Sequence, residues 1–190
     1  TNKVQIISVK TATPAGFKTV NPGPIDVTEY VLFYTKSKSS FKFKKAYVPV
    51  EYNVNYNLVV TKNPDVKDWT FERIQDVVIK EAGFNTEKEA KEKYGKLWTT
   101  IKKQLIAQYA YDNADNEVRV RDPHKPTETV KELMRQSKEV NHVIEQKRED
   151  GASGYFYKGG ALAFYSSKMQ IKKEKKCVTE LLTDFWNHIS

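Results

Sequence analysis

The chain is poor in cysteine and histidine. Cys177 is its only cysteine, so no disulfide can form within the chain, and a metal site built from cysteines alone is excluded. The three histidines, His124, His142 and His188, lack the spacing of a zinc site. We therefore expect no metal site in this chain. The lack of cysteine pairs favours a reducing compartment, and we expect the protein to be cytoplasmic.

Long apolar stretches are also missing. No apolar run approaches the roughly 20 residues that a membrane-spanning helix needs. The N-terminus alternates polar and apolar residues, where a signal peptide would carry an apolar block. We expect no membrane partner. The 11 Tyr, 9 Phe and 3 Trp are too many for a disordered chain, and 190 residues can bury a real core.

Most motifs of catalysis and cofactor binding are absent. Gly159 and Gly160 stand without the Lys-Ser/Thr pair of a phosphate-binding loop. Asp112, Asp115 and Glu117 imitate the start of a calcium loop, but its glycine and its distal glutamate are missing. We predict no catalytic residue, no metal ligand and no cofactor-binding residue in this chain.

Two short runs hold the excess positive charge. Residues 36–45 read KSKSSFKFKK and residues 168–176 read KMQIKKEKK, and together they carry a net charge of +9 in a chain of +8. Such a concentration is typical of a surface that faces a polyanion, although two solvated lysine loops explain it equally well. Phe41, Phe43 and Tyr165 beside these runs favour the polyanion, because aromatic rings stack on bases; Ser166 and Ser167 add hydroxyls that hold phosphates.

The hydrophobic pattern predicts an α+β fold with an N-terminal strand pair, a helical middle and a C-terminal β-hairpin. Residues 4–10 and 29–35 are the paired strands, joined by a proline- and glycine-rich loop at 13–24. The second strand is apolar enough to be buried on both faces.

Three helices are predicted in the middle. The first spans 71–82 and ends at Gly83. Thr86 and Glu89 form a capping box for a second, which ends near Gly95. An apolar stripe predicts a third, amphipathic helix that packs in the core; its members are Trp98, Ile101, Leu105 and Tyr109.

The remainder of the chain mixes one helix with several strands. A strand at 118–121 precedes a helix that is capped by Thr127 or Thr129 and runs to about Ser137. Another strand begins at Val143, and Gly159-Gly160 forms a two-residue hairpin turn. Residues 177–186 suit a helix or a docked tail.

One set of residues imitates a Mg²⁺ nuclease site. Asp122 follows a predicted strand, and Glu145-Gln146-Lys147 ends another. An Asp and a Glu-x-Lys on neighbouring strands can hold a metal and activate water. The competing interpretation is a set of surface salt bridges.

The two ends of the chain carry a family resemblance. Residues 13–23 read TPAGFKTVNPG, 27–36 read VTEYVLFYTK, 161–168 read ALAFYSSK and 180–190 read ELLTDFWNHIS. These stretches resemble bacterial site-specific DNA adenine methyltransferases of restriction–modification systems, including the modification subunits of type III systems. In that family a Glu-Tyr-aliphatic-aromatic-Lys strand lies at the end of the catalytic sheet. The resemblance is sharpest over roughly the first 50 and last 40 residues.

Two motifs of that family are missing from this chain. The catalytic Asp/Asn-Pro-Pro-aromatic motif has no equivalent, since residues 21–24 read NPGP. The Phe-x-Gly-x-Gly loop for S-adenosylmethionine is absent too. The resemblance implies that 1–35 are terminal strands of a catalytic domain, 36–176 a target-recognition domain and 177–190 a return segment. We expect no methylation by this chain alone, and S-adenosylmethionine to serve the full-length protein.

The resemblance implies double-stranded DNA as the partner. In the full-length protein it further implies a homodimer and a restriction subunit as partners. Lysines would hold phosphates, and arginines would read bases through paired hydrogen bonds to guanine. The predicted DNA-binding residues are Lys38, Lys42, Lys44, Lys45, Arg119, Arg121, Lys125, Lys168, Lys172 and Lys173.

Several alternatives stay open at this point. Arg119 and Arg121 could equally pair with surface acids, and Arg135 and Arg148 are weaker candidates for base reading. Besides the nuclease, a protein-interaction module of a restriction–modification complex is a third class of function.

Overall fold

The computed structural model describes residues 3–12, 27–42, 44–149, 151–172 and 175–186. The chain forms a small compact unit, Thr1–Val50 with Thr179–Ser190, and a large one, Glu51–Val178. Strands, then helices, then strands follow one another along the chain, which confirms the α+β class. The predicted loop at 13–24 lies outside the described residues, as do Phe43, Lys173 and His188.

Strands occur in both units. In chain order they are β1 (Lys3–Lys10), β2 (Thr28–Tyr34), β3 (Tyr47–Pro49), β4 (Leu58–Thr61), β5 (Thr70–Arg73), β6 (Glu117–Arg121), β7 (Ile144–Lys147), β8 (Ser153–Tyr157), β9 (Gly160–Phe164), β10 (Met169–Lys172), β11 (Lys175–Leu181) and β12 (Phe185–Trp186).

The described helices all belong to the large unit. They are α1 (Ile74–Glu81), α2 (Glu87–Tyr94), α3 (Trp98–Asp112) and α4 (Glu128–Glu139). Short 3-10 turns occur at Val66–Asp68, Gly95–Leu97 and Tyr165–Lys168.

The small unit is built on a sheet in the order β12-β1-β2. The predicted antiparallel pairing of β1 with β2 is confirmed, with Ile6 opposite Leu32. The prediction that β2 is buried on both faces is wrong. Tyr30, Leu32 and Tyr34 are 68%, 55% and 55% exposed, and Ile6 beside them is 41% exposed. No described residue of the small unit covers this surface, which we call the bare face.

Residues 177–186 form strands and not a helix. The end of β11 pairs with β3, where Leu181 lies opposite Tyr47. The short β12 docks in parallel on β1. Just before β12, the carbonyl of Asp184 accepts a hydrogen bond from the Ser8 amide at 2.7 Å, and its carboxylate accepts one from Gln5 Nε2 at 2.7 Å.

The large unit is organised around a six-stranded antiparallel sheet in the order β5-β4-β6-β9-β8-β7. One face carries an apolar cluster around Val60, Val118 and Leu162. Phe71 of β5 stacks on Tyr157 of β8 with the ring centroids 4.2 Å apart, although β5 and β8 are not neighbours in the sheet. The sheet therefore curls around this cluster. The other face packs against α1 and α3 through a second cluster, whose buried members include Tyr56, Val59, Ile74, Val78, Ala110 and Tyr165.

Local sequence signals set most helix ends. Thr86 Oγ1 accepts from the Glu89 amide at 3.3 Å, and the Glu89 side chain accepts from the Asn85 amide at 2.9 Å, so the predicted cap of α2 is confirmed. Thr127 caps α4 by accepting from the Val130 amide. Gly83 has a φ of 83° after the end of α1, as a C-terminal glycine should.

The helix prediction for 71–82 begins too early. Residues Thr70–Arg73 pair with β4 as β5, and α1 starts at Ile74. Local propensity does not predict the switch from strand to helix at Ile74, because the strand depends on pairing between Phe71 and Val60 of β4.

The apolar stripe of α3 is confirmed in part. Trp98 is 1% exposed, and Ile101 and Tyr109 pack against buried clusters. Leu105 is 37% exposed, and Ile106 packs on the core in its place.

The predicted β-hairpin is confirmed, with its turn one residue earlier than expected. The two turn residues are Lys158 and Gly159, at φ 48° and 84°, and Tyr157 pairs with Gly160. Positive φ at both central positions is typical of the turn that matches the twist of the strands.

A buried polar pair lies beneath the centre of the large sheet. Glu117 of β6 is fully buried, and its Oε1 lies 2.6 Å from the hydroxyl of Tyr52. That hydroxyl also donates to the carbonyl of Tyr56. A phenol has one proton and a carbonyl can only accept, so a protonated Glu117 satisfies the contact at Oε1 by donating its own proton to Tyr52. The Oε2 of Glu117 is buried without a hydrogen-bond partner among the described residues. Burial raises the pKa of Glu117 to about 7, which favours this protonated form.

We expect the stability of the large unit to fall as the pH rises through 7. The pKa of Glu117 in the folded protein lies above its ordinary value of 4.5, so the protonated side chain stabilises the fold at low pH. This stabilisation is lost as the pH rises from 4.5 through the folded pKa of about 7. The full effect is roughly 3 kcal/mol. Urea unfolding at pH 4.5 and pH 8 measures it in the parent and in Glu117→Gln, whose amide can still donate to Tyr52. The variant should lose this part of the pH dependence, and an equal pH dependence in both proteins would contradict the assignment.

Candidate nucleic-acid interface

The first lysine run lies on the surface of the small unit. Lys38, Lys42, Lys44 and Lys45 are all exposed. Phe41, by contrast, packs edge-on against Phe33 of β2, with the ring centroids 5.7 Å apart. This aromatic ring therefore anchors the run to the sheet and does not project from it as a stacking platform.

The second lysine run is described only in part. Lys168 is half-buried at the end of a 3-10 turn. The backbone of Lys172 lies in β10, but its side chain and the whole of Lys173 lie outside the described residues. Tyr165, expected beside this run as a surface aromatic, is 1% exposed and packs on Tyr56 in the core.

The two predicted arginines of β6 have different surroundings. Arg119 is half-buried, its guanidinium lies 4.9 Å from the ring centroid of Tyr56, and its Nε is buried without a hydrogen-bond partner among the described residues. Arg121, two residues further along the strand, is exposed. Only Arg121 has its side chain free on the surface.

A group of cations gathers where β6 ends and β9 begins. Arg121 pairs with Ala161 of the antiparallel β9, so the loop after β6 and the β8–β9 turn lie at the same end of the sheet. Lys125 is exposed in that loop and Lys158 is exposed in that turn. Lys138, near the end of α4, lies over the turn, because a Cβ built on Gly159 would overlap its side chain. We call these four residues the basic end.

The backbone beneath the basic end is held by a buried serine. Ser137 is fully buried; its Oγ accepts from the Gly159 amide at 2.9 Å and donates to the Met134 carbonyl at 2.9 Å. This hydroxyl ties α4 to the hairpin turn and fixes Lys138 beside Lys158. Sequence reasoning missed both lysines, although the Lys-Gly pair at the turn was a signal for Lys158.

The acids of the chain neutralise other cations. Among the described residues, acids form ion pairs within 4.0 Å with Lys80, Lys88, Lys91, Lys102, Lys131 and Arg135. Seven of the predicted DNA-binding residues are absent from these pairs: Lys38, Lys42, Lys44, Lys45, Arg119, Arg121 and Lys125. The alternative that Arg119 and Arg121 pair with surface acids is therefore wrong within these residues.

Helix α4 carries an arginine that neighbouring acids neutralise. Arg135 pairs with Glu132 at 2.7 Å and with Glu139 at 3.0 Å. The hydrogen bond from Arg135 lowers the pKa of Glu132 to about 2. Arg135, a weaker candidate for base reading, is already occupied by these carboxylates.

The geometric premise of the nuclease alternative is wrong. Asp122 follows β6 and Glu145 lies on β7, and β9 and β8 separate these two strands in the sheet. Glu145 accepts a hydrogen bond from Ser153 at 2.6 Å. Among the described residues, no group of three acidic, histidine or cysteine side chains is placed to hold a metal ion.

Comparison with known proteins adds no identification. No family model, curated protein or solved structure matches the chain. In the portion that the structure describes, no helix is long and apolar enough to cross a membrane.

We predict that Ser137→Ala destabilises the large unit by about 1–3 kcal/mol, because it leaves the buried Gly159 amide without an acceptor. Ser167→Ala is the matched control, since Ser167 is exposed and its hydroxyl only donates to the Phe164 carbonyl. Urea unfolding of both variants is the measurement. Equal unfolding midpoints for the two would contradict the role given to Ser137.

Proposed function

We propose that this chain is the DNA-binding, target-recognition portion of a DNA adenine methyltransferase. The observation that carries the proposal is selective charge compensation: carboxylates pair with several cations of the helices, while none of the ion pairs among the described residues involves Arg121, Lys125, Lys38, Lys42, Lys44 or Lys45. Cations left without partners on a protein of net charge +8 suit a polyanion. The resemblance of the two chain ends to adenine methyltransferases supplies the particular class.

In this proposal the lysines grip the phosphate backbone and Arg121 reads a neighbouring base. Phosphate contacts fix the protein on the duplex, whereas an arginine that makes two hydrogen bonds to guanine adds sequence preference. Arg119 is half-buried with its guanidinium over the Tyr56 ring, where it supports the strand beneath Arg121. The basic end adds Lys138 and Lys158 to the predicted set.

The methyl-transfer step belongs to the rest of the full-length protein. This chain lacks the family's acceptor motif and its S-adenosylmethionine loop, so none of its residues is assigned to either role. A methyltransferase must turn its adenine out of the duplex, and a separate recognition domain holds the DNA during that step. The proposal includes a cytoplasmic location, a homodimer and a restriction subunit as partner of the full-length protein.

We expect the chain to bind random duplex DNA with an affinity that falls steeply as salt rises. The slope of log affinity against log salt is about −0.9 for each phosphate contacted. Fluorescence anisotropy of a labelled duplex at several salt concentrations measures it. The double variant Arg121→Gln/Lys125→Gln should make the slope shallower by about 1.8, if each cation contacts one phosphate.

The control for this experiment is Lys131→Gln/Arg135→Gln. It removes the same charge from exposed residues, but both of these cations are paired with glutamates in the parent. We expect the control to keep the parent slope. Binding that ignores salt, or equal losses in both double variants, would contradict the proposed interface.

A second candidate function, protein interaction, is favoured by the bare face. Tyr30, Leu32 and Ile6 leave a contiguous apolar surface on one side of the small sheet. Surfaces of this kind mark contacts with other protein. Within the proposed methyltransferase, this face packs against further strands of the catalytic domain.

We predict that the bare face makes the isolated chain self-associate. Tyr30→Ser/Leu32→Ser should lower the sedimentation coefficient at high protein concentration, because it removes the apolar surface without removing a core contact. Val54→Ser is the control, since Val54 is 76% exposed and lies outside the small unit. A parent chain that stays monomeric at every concentration would contradict this prediction.

A further inference from the structure

The turn between α2 and α3 exposes one large apolar side chain. Leu97 ends the 3-10 turn Gly95–Leu97 and is 69% exposed. Tyr94, which ends α2 three residues before Leu97, is 36% exposed. Gly95 has a φ of 58°, so the chain can leave α2 sharply and carry Leu97 outward.

This turn is held by an aromatic cluster beneath it. Trp98, the next residue after Leu97, is 1% exposed and is buried with Ile79 and Ala90. Its ring stacks on Tyr94 at 6.1 Å with an interplanar angle of 12°, and Phe84 meets it edge-on at 5.9 Å. Single exposed leucines are common on protein surfaces. Leu97 differs because the packed Trp98 fixes the backbone that presents it.

The cations next to Leu97 have no carboxylate partner. Of the nearby acids, Glu87 pairs with Lys91 and Lys102 and Glu92 pairs with Lys88. Glu89 is occupied by the Asn85 amide in the cap of α2.

Lys93 and Lys96 therefore stay without an ion pair among the described residues. The Nζ of Lys93 lies 5.2 Å from the ring centroid of Tyr94. Lys96 directly precedes Leu97 in the turn, and Lys93 lies one turn earlier at the end of α2. An exposed apolar side chain near two cations without ion pairs is complementary to a duplex, in which stacked bases lie close to phosphates.

We propose that Leu97 is a wedge that inserts between base steps from the minor groove of duplex DNA, with Lys93 and Lys96 on the flanking phosphates. The proposal rests on the proposed DNA-binding function and adds the contact that deforms the duplex. Apolar wedges of this kind partly unstack the bases and kink the DNA by about 20–90°. The rigid support from Trp98 matters because a wedge must keep its position while it separates stacked bases.

The test uses the full chain and a short random-sequence duplex with a donor dye at one end and an acceptor at the other. Binding of the parent should change the energy transfer between the dyes, because a kink brings the ends closer. Leu97→Ala should lose this change, and its affinity by anisotropy should fall about tenfold with an unaltered salt slope. Leu105→Ala is the matched control, since Leu105 is 37% exposed on the neighbouring helix.

A second pair of variants tests the flanking cations. Lys93→Gln/Lys96→Gln should make the salt slope shallower by about 1.8, which corresponds to two phosphate contacts. Lys88→Gln/Lys91→Gln removes equal charge from the same helical region, but both lysines are paired with glutamates in the parent. We expect this control to keep the parent slope.

The outcomes separate the wedge from DNA binding itself. A parent chain that binds duplex with a steep salt dependence, while Leu97→Ala keeps the full energy-transfer change, overturns the wedge and leaves the proposed function intact. A parent chain that binds no duplex at low salt overturns both. Loss of self-association in Leu97→Ala, with an unchanged DNA response, identifies the turn as a protein contact and also overturns the wedge.

Discussion

The large unit depends on β6, a strand with an apolar residue buried on one face and a buried carboxyl group on the other. This strand lies near the centre of the six-stranded sheet, so both of its faces are covered. Val118 fills the apolar cluster inside the curl, while Glu117 on the opposite face meets Tyr52 in a fully buried polar pair. Burying a carboxyl group is tolerated only if it is neutral or partnered, and the pair with Tyr52 satisfies that requirement. The strand then emerges from the core at Arg121, which gives an exposed cation a rigid base.

Charge compensation divides the surface into two kinds. Ion pairs of the i,i+3 and i,i+4 type neutralise several cations of α2 and α4, as along the series Glu132, Arg135 and Glu139. Other cations are in no ion pair among the described residues, including Lys93 and Lys138 near the ends of these two helices and Lys96, Lys125 and Lys158 in loops and turns. Lys38, Lys42, Lys44 and Lys45, the basic end, and Lys93 and Lys96 near Leu97 all belong to this second kind. In the proposed complex with DNA, each contact between these cations and a phosphate would release condensed counterions.

Sequence patterns that span only a few residues predict the helix ends correctly. Thr86 with Glu89, Thr127 and Gly83 mark helix ends in the structure, since a cap needs only residues within one turn. Predictions that needed a distant partner were less successful. The pattern of β2 predicts a strand covered on both faces, yet one face is bare. The nuclease alternative requires Asp122 and Glu145 on neighbouring strands, yet two strands separate them. Strand order depends on pairing between distant segments, which a local pattern does not encode.

The sequence by itself determined the α+β class, the concentration of lysine in two runs, and the exposure of Lys38, Lys42, Lys44 and Lys45, because composition and local propensity are sufficient for these. Only the tertiary structure decided which cations are free. It buried Tyr165, placed the Arg119 guanidinium over Tyr56 and paired Arg135 with glutamates. It also brought Lys138 over the β8–β9 turn, at the same end of the sheet as Arg121. The physical reason is that burial and charge compensation depend on contacts between strands and helices that are far apart in the chain.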